Sequence, residues 1–403
     1  MSHISDISST NSAARLITIF TFTDGLAQGI YGTIFNLMLR TSGMPTSYVG
    51  RITSFFLWGC ALLGLVFGII ADKVNKKQLM FTTHLLSVFF GTYRVLSKSY
   101  VQLGISSFLF GGFSTATGIV LSTLLILKTS KDNRTKVLGL NFGVGMLTGV
   151  LGNILGGVLG DVFPLKAVLI SASISRLLAL IPVKRLSIEK FSDTRLYKSD
   201  TDTNVLEFFS TLKKLNEQAK KVVLYYFLST MSVGFGAGLF VTFGNVIFYD
   251  LFHLSPSLIG TILAMAQLAT SIGAIFSYKL GRKFGDMNVL IFSYVFVPIL
   301  IVLLSFVREP ITFTSVYILR FAVMNMVGPL LTALVFSNIP ASYLSSINGM
   351  NTFLSNVARA LSADLFAALT RFKNGYTWIF VVSSIFYFAN AYVMIRMYKH
   401  LKD

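Results

Sequence analysis

Uninterrupted apolar segments of about 20 residues recur along almost the whole of this 403-residue chain. An α-helix rises 1.5 Å per residue, so about 20 apolar residues cross the hydrocarbon core of a bilayer. A membrane β-barrel would instead show segments of about 10 residues in which apolar and polar side chains alternate. Only 12% of the residues are charged, about half the share found in soluble proteins. We therefore predict an all-α polytopic membrane protein.

Twelve such segments can be distinguished. They cover residues 16–39, 48–71, 78–97, 101–127, 137–160, 165–182, 222–248, 257–280, 288–307, 311–336, 345–369 and 376–397. An even number of spans places both termini on one side, and the alternate loops assign 23 Lys and Arg residues to that side against seven to the other. Because basic residues flank the cytoplasmic ends of spans, we predict a multi-pass protein of the plasma (inner) membrane with both termini cytoplasmic.

The net charge of +18 has the same explanation. Basic residues beside the spans meet anionic lipids, so we expect the bilayer as a partner and no nucleic acid. The sequence has no G-x-x-x-x-G-K-[ST] loop for ATP and no recognisable nucleophile–base set. Its four histidines (His3, His84, His253 and His400) are scattered along the chain. We therefore predict that the protein is not an enzyme and uses no cofactor or metal ion.

The longest polar segment, 183–221, divides the spans six and six. We predict an N-terminal six-helix bundle (1–182), a cytoplasmic linker (183–221) and a C-terminal six-helix bundle (222–403). The end of the linker, NVLEFFSTLKKLNEQAKK, has apolar residues near helical spacing with lysines between them. This pattern indicates either an amphipathic helix on the membrane surface or a plain helical linker. A shift of 210 residues aligns 47–81 with 257–291, which indicates two related halves.

The loop between spans two and three reads GIIADKVNKKQLM over residues 68–80. It closely resembles the G-x-x-x-D-[RK]-x-[GN]-[RK]-[RK] signature of the major facilitator superfamily. The matching residues are Gly68, Asp72, Lys73, Asn75, Lys76 and Lys77. The resemblance implies two pseudo-symmetric six-helix bundles that rock about one midplane site, with these residues as a conformational latch. We expect Gly68 to permit a close helix approach.

The second copy of this loop departs from the signature. Arg282 and Asp286 stand at the positions of Asp72 and Lys76, so the charges are exchanged. We do not expect the same latch there. In span five, GNILGG (152–157) resembles the G-P-x-x-G-G core found in antiporters of the family, but its proline is replaced. The small residues favour close helix packing in lipid, and those we assign to it are Gly149, Gly152, Asn153, Gly156 and Gly157.

Span one carries the carboxylate Asp24 in an otherwise uncharged segment. Thr21, Asp24, Gln28 and Tyr31 are spaced by three, four and three residues, so they share one helix face. The family fold implies that this face lines the central cavity. An acid there would take up a proton or pair with a cationic substrate, since intramembrane acids are usually functional. The alternative is a structural carboxylate paired with an arginine or a helix end.

A second polar stripe lies on span eleven. Its members, which step along one helix face, are Asn348, Asn351, Ser355, Arg359 and Ser362. Asp364 lies about 140° round the helix from Arg359, so these two are poor partners within the helix. We predict that Arg359 and Arg320, on span ten, are electrostatic partners of an anionic group, with Asp24 as one candidate for Arg359. The alternative for Arg359 is a hydrogen-bond anchor between helices. Arg94, near the end of span three, is expected to snorkel to the interface.

These features predict a secondary transporter that works by alternating access. We expect proton-coupled export of a small, partly apolar organic molecule by a monomer. The substrate and proton-coupling residues we assign are Asp24, Gln28, Tyr31, Arg320, Asn351, Ser355, Arg359 and Asp364. An aromatic cavity lined by residues such as Phe22 and Phe35 would suit cationic or neutral molecules, but we expect most of the aromatic side chains to face lipid. The alternatives are an uptake symporter or facilitator of a small metabolite and a non-transporting membrane sensor or scaffold.

Overall fold

The computed structural model describes residues 2–129, 133–186, 215–340 and 343–402, and over these residues the chain is helical without strands. The helices are α1 (Ser2–Thr41), α2 (Thr46–Lys73), α3 (Lys76–Leu96), α4 (Tyr100–Leu127), α5 (Arg134–Val162), α6 (Leu165–Ser175), α7 (Leu180–Arg185), α8 (Glu217–Gly238), α9 (Gly244–Phe252), α10 (Pro256–Phe284), α11 (Asp286–Phe306), α12 (Pro310–Ser337), α13 (Leu344–Leu369) and α14 (Gly375–Lys402). The 3-10 turns Arg176–Ala179 and Val241–Phe243 lie between α6 and α7 and between α8 and α9. The predicted all-α architecture is confirmed.

Ten helical segments of the described residues are long and apolar enough to cross a membrane. The predicted spans that fall outside these ten are the first and the eleventh, which are nevertheless the long helices α1 and α13. Both carry the polar stripes identified from the sequence, and these polar residues lower the mean hydropathy. The two least apolar spans are therefore the two with the most polar side chains on one face.

The internal repeat is visible in the helix bounds. Five pairs of helices begin at residues that are 210 apart: Thr46 and Pro256, Lys76 and Asp286, Tyr100 and Pro310, Arg134 and Leu344, and Leu165 and Gly375. The register predicted from residues 47–81 thus continues through α6 and α14 without a gap. Positions 210 residues apart can therefore be compared as structural equivalents.

The chain packs into two compact units, one comprising residues 1–191 and 248–264 and the other 192–247 and 265–403. In the first unit α2 packs on α4, α1 on α5 and α3 on α4. A Cβ atom added to Gly29 would lie 2.8 Å from the Cα of Gly152, and one added to Gly156 would lie 2.9 Å from the Cα of Ile30. Helices α1 and α5 thus meet backbone to backbone, which only glycine permits.

Residues 248–264 belong to the first unit, although they come much later in the chain than its other residues. The carboxylate of Asp250 accepts hydrogen bonds from Arg40 Nε at 2.8 Å and from Thr46 Oγ1 at 2.7 Å. A Cβ on Gly157 would lie 2.9 Å from the Cα of Ser257. The loop after α1 and the end of α5 are therefore tied to the segment that joins α9 to α10.

The second unit has its own apolar core. It is built by α8, α11, α12, α13 and α14, and its fully buried members include Val222, Leu290, Val335, Ile347 and Met394. Helix α11 packs on α14, and α8 packs on both α13 and α14. The predicted amphipathic helix falls mostly on residues 187–214, which lie outside the described residues. The predicted bounds of the linker, 183–221, and of the two bundles beside it therefore stay a prediction.

Candidate functional site

Asp24 is buried in the first unit, with 5% of its surface exposed. Its Oδ1 lies 2.6 Å from Arg176 Nε, and its Oδ2 accepts a hydrogen bond of 2.5 Å from Gln28 Nε2. Gln28 is one helical turn further along α1, so the i,i+4 spacing brings the two side chains together. Both carboxylate oxygens are therefore engaged, and the negative charge is balanced by a buried guanidinium.

Arg176 comes from the point where the sixth span is interrupted. It is the first residue of the 3-10 turn Arg176–Ala179, and Pro182 follows in α7. Proline has no N–H and leaves the carbonyl four residues earlier without a helical donor, which explains the local change of helix type. The sequence analysis assigned no role to Arg176. Its one signal was an arginine inside an apolar span, six residues before a proline.

His84 completes the cluster and was also missed. Its ring is fully buried on α3, and Nε2 lies 2.9 Å from the backbone carbonyl oxygen of Arg176. The same nitrogen is 4.0 Å from Asp24 Oδ1. Phe20 meets the imidazole edge to face at 4.9 Å between centroids. Asp24, His84 and Arg176 thus form a charged cluster, called the acid–base cluster below.

A cavity of about 480 Å³ opens beside this cluster. Its lining residues are Phe20, Thr21, Asp24, Gly25, Gln28, Phe56, Ser114, Thr115, Thr117, Gly118, Leu121, Gly145 and Gly149. The volume suits a small organic ligand. The aromatic walls of this cavity are Phe20 and Phe56. Phe22 is 44% exposed, and the ring of Phe35 lies under the guanidinium of Arg94. Among the described residues no group of three His, Cys, Asp or Glu side chains could hold a metal ion.

Tyr31, predicted to share the cavity face, belongs to a second cluster. Its hydroxyl donates to the carbonyl oxygen of Gly91 at 2.8 Å, and its ring stacks on Phe35. The guanidinium of Arg94 lies over the same rings, 3.3 Å from the Phe35 centroid and 4.7 Å from that of Phe110. Arg94 is only 5% exposed, so the expectation that it snorkels is wrong. Cation–π contact replaces the hydration that an interfacial arginine would keep.

In the second unit the buried arginine is Arg320. It bonds the hydroxyl of Tyr387 and lies 4.8 Å from the ring centroid of Phe240. Arg320 stands 210 residues after Phe110, the ring shared by Arg94 and Arg176 in the first unit. At this position of the repeat, the first unit has an aromatic ring and the second unit has an arginine. Each unit nevertheless contains a guanidinium group in contact with aromatic rings.

Asn351 and Asn141 are repeat-related and make similar bonds. Asn351 Oδ1 accepts from Thr230 Oγ1 at 2.5 Å, and Asn141 Oδ1 accepts from Thr21 Oγ1 at 2.7 Å. Asn351 also donates to the Tyr226 hydroxyl at 3.0 Å. In each unit an asparagine of the fifth span of that half thus ties the first span to it. Asn141 is a polar residue that the sequence analysis did not single out.

The remaining predicted residues of the second stripe lie in the second unit. Ser355 is half-buried beside Gly234, whose added Cβ would lie 3.3 Å from the Ser355 carbonyl oxygen. Asp364 is half-buried and Arg359 is exposed. The predicted site residues therefore belong to two different units. Asp24 and Gln28 lie together in the first unit, where Asp24 forms its ion pair with Arg176.

The loop with the family signature is well formed. Asn75 caps α3, with its Oδ1 accepting from the backbone N–H groups of Lys77 at 3.0 Å and Gln78 at 3.2 Å. Lys77 Nζ donates to the carbonyl oxygens of Lys184 at 2.9 Å and Leu186 at 2.6 Å, at the C-terminus of α7, where the helix dipole favours a cation. The side chains of Asp72 and Lys73 lie outside the described residues. A Cβ on Gly68 meets no described atom within 4 Å, so the close approach expected there is absent.

The cap leads to a prediction. Asn75→Ala removes the acceptor for two backbone N–H groups and should lower the free energy of unfolding by about 1 kcal/mol. Asn75→Asp keeps a capping oxygen and should remain close to the wild type. Thermal unfolding of the purified protein in detergent measures both, and equal midpoints for the two variants would contradict the assignment of the cap.

The small residues of span five lie at contacts. Gly152 and Gly156 face α1, Gly157 faces the start of α10, and Gly149 lines the cavity. Asn153 Oδ1 accepts a hydrogen bond of 3.0 Å from Thr33 Oγ1. The asparagine that replaces the proline of the family pattern thus ties α5 to α1.

A family model described as Major Facilitator Superfamily matches residues 17–363. A solved structure of the nucleoside transporter NupG aligns with a TM-score of 0.77 at 14% identity, covering 96% of this chain and 99% of that one. A bacterial homologue of the lysosomal transporter Spinster aligns with a TM-score of 0.75 at 12% identity, covering 96% of both chains.

A bacterial homologue of the iron transporter ferroportin is similar as well, with a TM-score of 0.74 at 15% identity, covering 96% of this chain and 98% of that one. No curated protein matches the sequence. The structural likenesses establish the fold, and the family match covers most of the chain, including the signature loop and the acid–base cluster. The chain belongs to the major facilitator superfamily of membrane transporters.

Proposed function

We propose that this protein is a secondary transporter that exports a small, partly apolar organic molecule by alternating access in exchange for protons. The observation that carries the proposal is the buried Asp24–Arg176 ion pair beside a cavity of about 480 Å³. Burying an ion pair costs more than burying apolar side chains of similar volume, so the pair is poorly explained by stability alone. A group that can gain and lose a proton beside a ligand cavity is what proton coupling requires.

The lining of the cavity favours an uncharged substrate or one of low charge. Asp24 is the only ionisable side chain in the described lining, and Arg176 balances its charge. The expectation that this acid pairs with a cationic substrate is therefore not part of the proposal. Phe20 and Phe56 offer apolar surface, whereas Gln28 and Ser114 offer hydrogen-bonding groups. A small molecule with one aromatic or apolar face and a few polar atoms fits this combination.

The proposal includes a monomer in the plasma membrane with both termini in the cytoplasm, and the asymmetry of the basic loops supports this orientation of the termini. The loop from Asp72 to Lys77 would act as the conformational latch. The bond from Lys77 to the end of α7 supports this role, because it links the loop to the span that carries Arg176.

Uptake by proton symport is the second candidate. The hydroxyl and amide groups of Thr21, Gln28, Ser114 and Thr115 in the lining would also suit a hydroxylated metabolite. One of the similar structures is described as a nucleoside transporter. In this candidate the same cluster would load a proton together with the substrate.

Everted membrane vesicles with an acidic interior test both candidates. A pH-sensitive dye reports the gradient while neutral aromatic compounds, nucleosides, sugars and lipophilic cations are added outside. An exporter should discharge the gradient when its substrate is added outside, and Asp24→Asn should abolish the discharge. A symporter should discharge it only when the substrate is loaded inside.

Glu217→Gln is the matched control. It makes the same carboxylate-to-amide change at an exposed residue of α8, whose partner is Lys220. It should discharge the gradient as the wild type does. Equal discharge by Asp24→Asn and the wild type would refute coupling through Asp24.

A further inference from the structure

We propose that His84 is the residue that takes up the coupling proton, and that its protonation releases Arg176 from Asp24. This inference rests on the proton-coupled transport proposed above, but it assigns the proton to His84 instead of Asp24. The imidazole ring of His84 has one nitrogen bonded to a carbonyl oxygen and one without a partner among the described residues.

The tautomer of His84 follows from its partner. Nε2 lies 2.9 Å from the backbone carbonyl oxygen of Arg176, and a carbonyl oxygen only accepts hydrogen bonds. Nε2 therefore carries the hydrogen of the neutral ring, and Nδ1 carries the lone pair. Nδ1 is buried and has no hydrogen-bond partner among the described residues. An unsatisfied buried acceptor costs about 1–3 kcal/mol, and this nitrogen is the place where a proton adds to the ring.

Asp24 is a poorer proton acceptor than His84 in this arrangement. A proton on Asp24 would have to displace either the Arg176 bond of 2.6 Å or the Gln28 bond of 2.5 Å. It would also leave a buried guanidinium without a counter-ion. His84 gains a proton at Nδ1 without losing its hydrogen bond to the Arg176 carbonyl oxygen, and the added positive charge lies close to the carboxylate of Asp24.

The charged groups that interact with the ring are Asp24 from α1 and Arg176 from the 3-10 turn. A hydronium ion breaks one O–H bond and gives that proton to the Nδ1 lone pair, which leaves a water molecule and makes the ring a cation 4.0 Å from Asp24 Oδ1. The imidazolium attracts Asp24 and repels Arg176. Two cations then compete for one carboxylate, and Arg176, whose Nη2 has no partner among the described residues, is the one that can leave.

The position of Arg176 turns this exchange into movement of the backbone. Arg176 begins the 3-10 turn between α6 and α7, and its own carbonyl oxygen is the partner of His84. Protonation thus weakens the side-chain ion pair of Arg176, while Nε2–H of the ring keeps its bond to the backbone carbonyl oxygen of the same residue. Phe20, which lines the cavity, meets the His84 ring and provides contact between a bound substrate and the cluster.

Nuclear magnetic resonance of the full-length protein in nanodiscs tests the proposal with the proton itself as the probe. The sample contains ¹³C,¹⁵N-histidine and ¹⁵N-arginine, and the pH is varied from about 5 to 9. His84→Gln assigns the His84 signal by its loss, and Arg176→Gln assigns the Nε–H signal of Arg176. We expect an Nε2–H tautomer at high pH, protonation of Nδ1 at low pH, and an Arg176 shift with the same midpoint.

His84→Gln retains an amide donor for the Arg176 carbonyl but cannot take up a proton, so its Arg176 signal should not depend on pH. If this variant does not fold, replacing His3, His253 and His400 leaves His84 as the single histidine, and its titration can still be followed. A His84 signal that keeps one protonation state over this range, or an Arg176 shift that persists in His84→Gln, overturns the proposal. The titration needs no substrate, so failure of the transport assay alone would be distinguishable.

Discussion

Arg176→Gln should destabilise the protein by about 3–5 kcal/mol, because Asp24 would keep a buried charge without its counter-ion. Asp24→Asn should destabilise the protein by a similar amount, because Arg176 would then keep a buried positive charge without its counter-ion. The double variant Asp24→Asn/Arg176→Gln carries no buried charge in this pair, and its two amides can bond each other. We therefore expect the double variant to be more stable than either single variant, although the wild-type ion pair between Asp24 and Arg176 is lost.

Unfolding by sodium dodecyl sulfate in mixed micelles, followed by circular dichroism, measures these differences. Arg396→Gln is the control, because Arg396 is exposed and bonds only Tyr392 among the described residues. It should stay within about 0.5 kcal/mol of the wild type. Strictly additive losses in the double variant would show that Asp24 and Arg176 do not depend on each other.

Gly152→Leu should prevent the first unit from packing. A Cβ at this position would lie 2.5 Å from the carbonyl oxygen of Leu26 and 2.7 Å from the Cα of Gly29. These are backbone atoms of α1, which cannot turn aside as a side chain would, so the two helices must separate. We expect a loss of more than about 3 kcal/mol, at the upper end of the cost of overpacking a core.

Gly143→Leu is the matched control on the same helix. Gly143 is exposed, and a Cβ there meets no described atom within 4 Å. Replacing a helical glycine with leucine in open surroundings should even stabilise the protein, by up to about 1 kcal/mol. Size-exclusion chromatography of both variants, fused to a fluorescent protein, shows which one remains monodisperse. Similar profiles would contradict the α1–α5 contact.

The sequence was sufficient for the fold because the membrane limits the choices. A continuous apolar segment must satisfy its backbone hydrogen bonds internally, so its length alone predicts a helix. The signature at Gly68 and Asp72 then indicated the family, and the repeat gave the register of five helix pairs. The i,i+4 spacing of Asp24 and Gln28 was also readable, since both lie on one helix.

The partners of Asp24 could not be predicted from the sequence, because they come from other helices, and no local sequence pattern determines how those helices are rotated relative to α1. Arg176 is 152 residues from Asp24, and His84 comes from α3. Arg94 shows the same limit: its place near the end of a span predicted an exposed head group, yet four aromatic rings from three other helices enclose it. Whether an intramembrane arginine snorkels or stays inside depends on what faces it.

The sequence by itself thus determined the helical class, the two related halves, the family and the acid on α1, because hydropathy, periodicity and short motifs are properties of neighbouring residues. Only the tertiary structure decided which groups balance that acid, where the cavity lies and which nitrogen of His84 has no hydrogen-bond partner among the described residues. Those facts depend on side-chain directions across helix contacts, and α1, α3 and the 3-10 turn of span six meet only after the chain has packed.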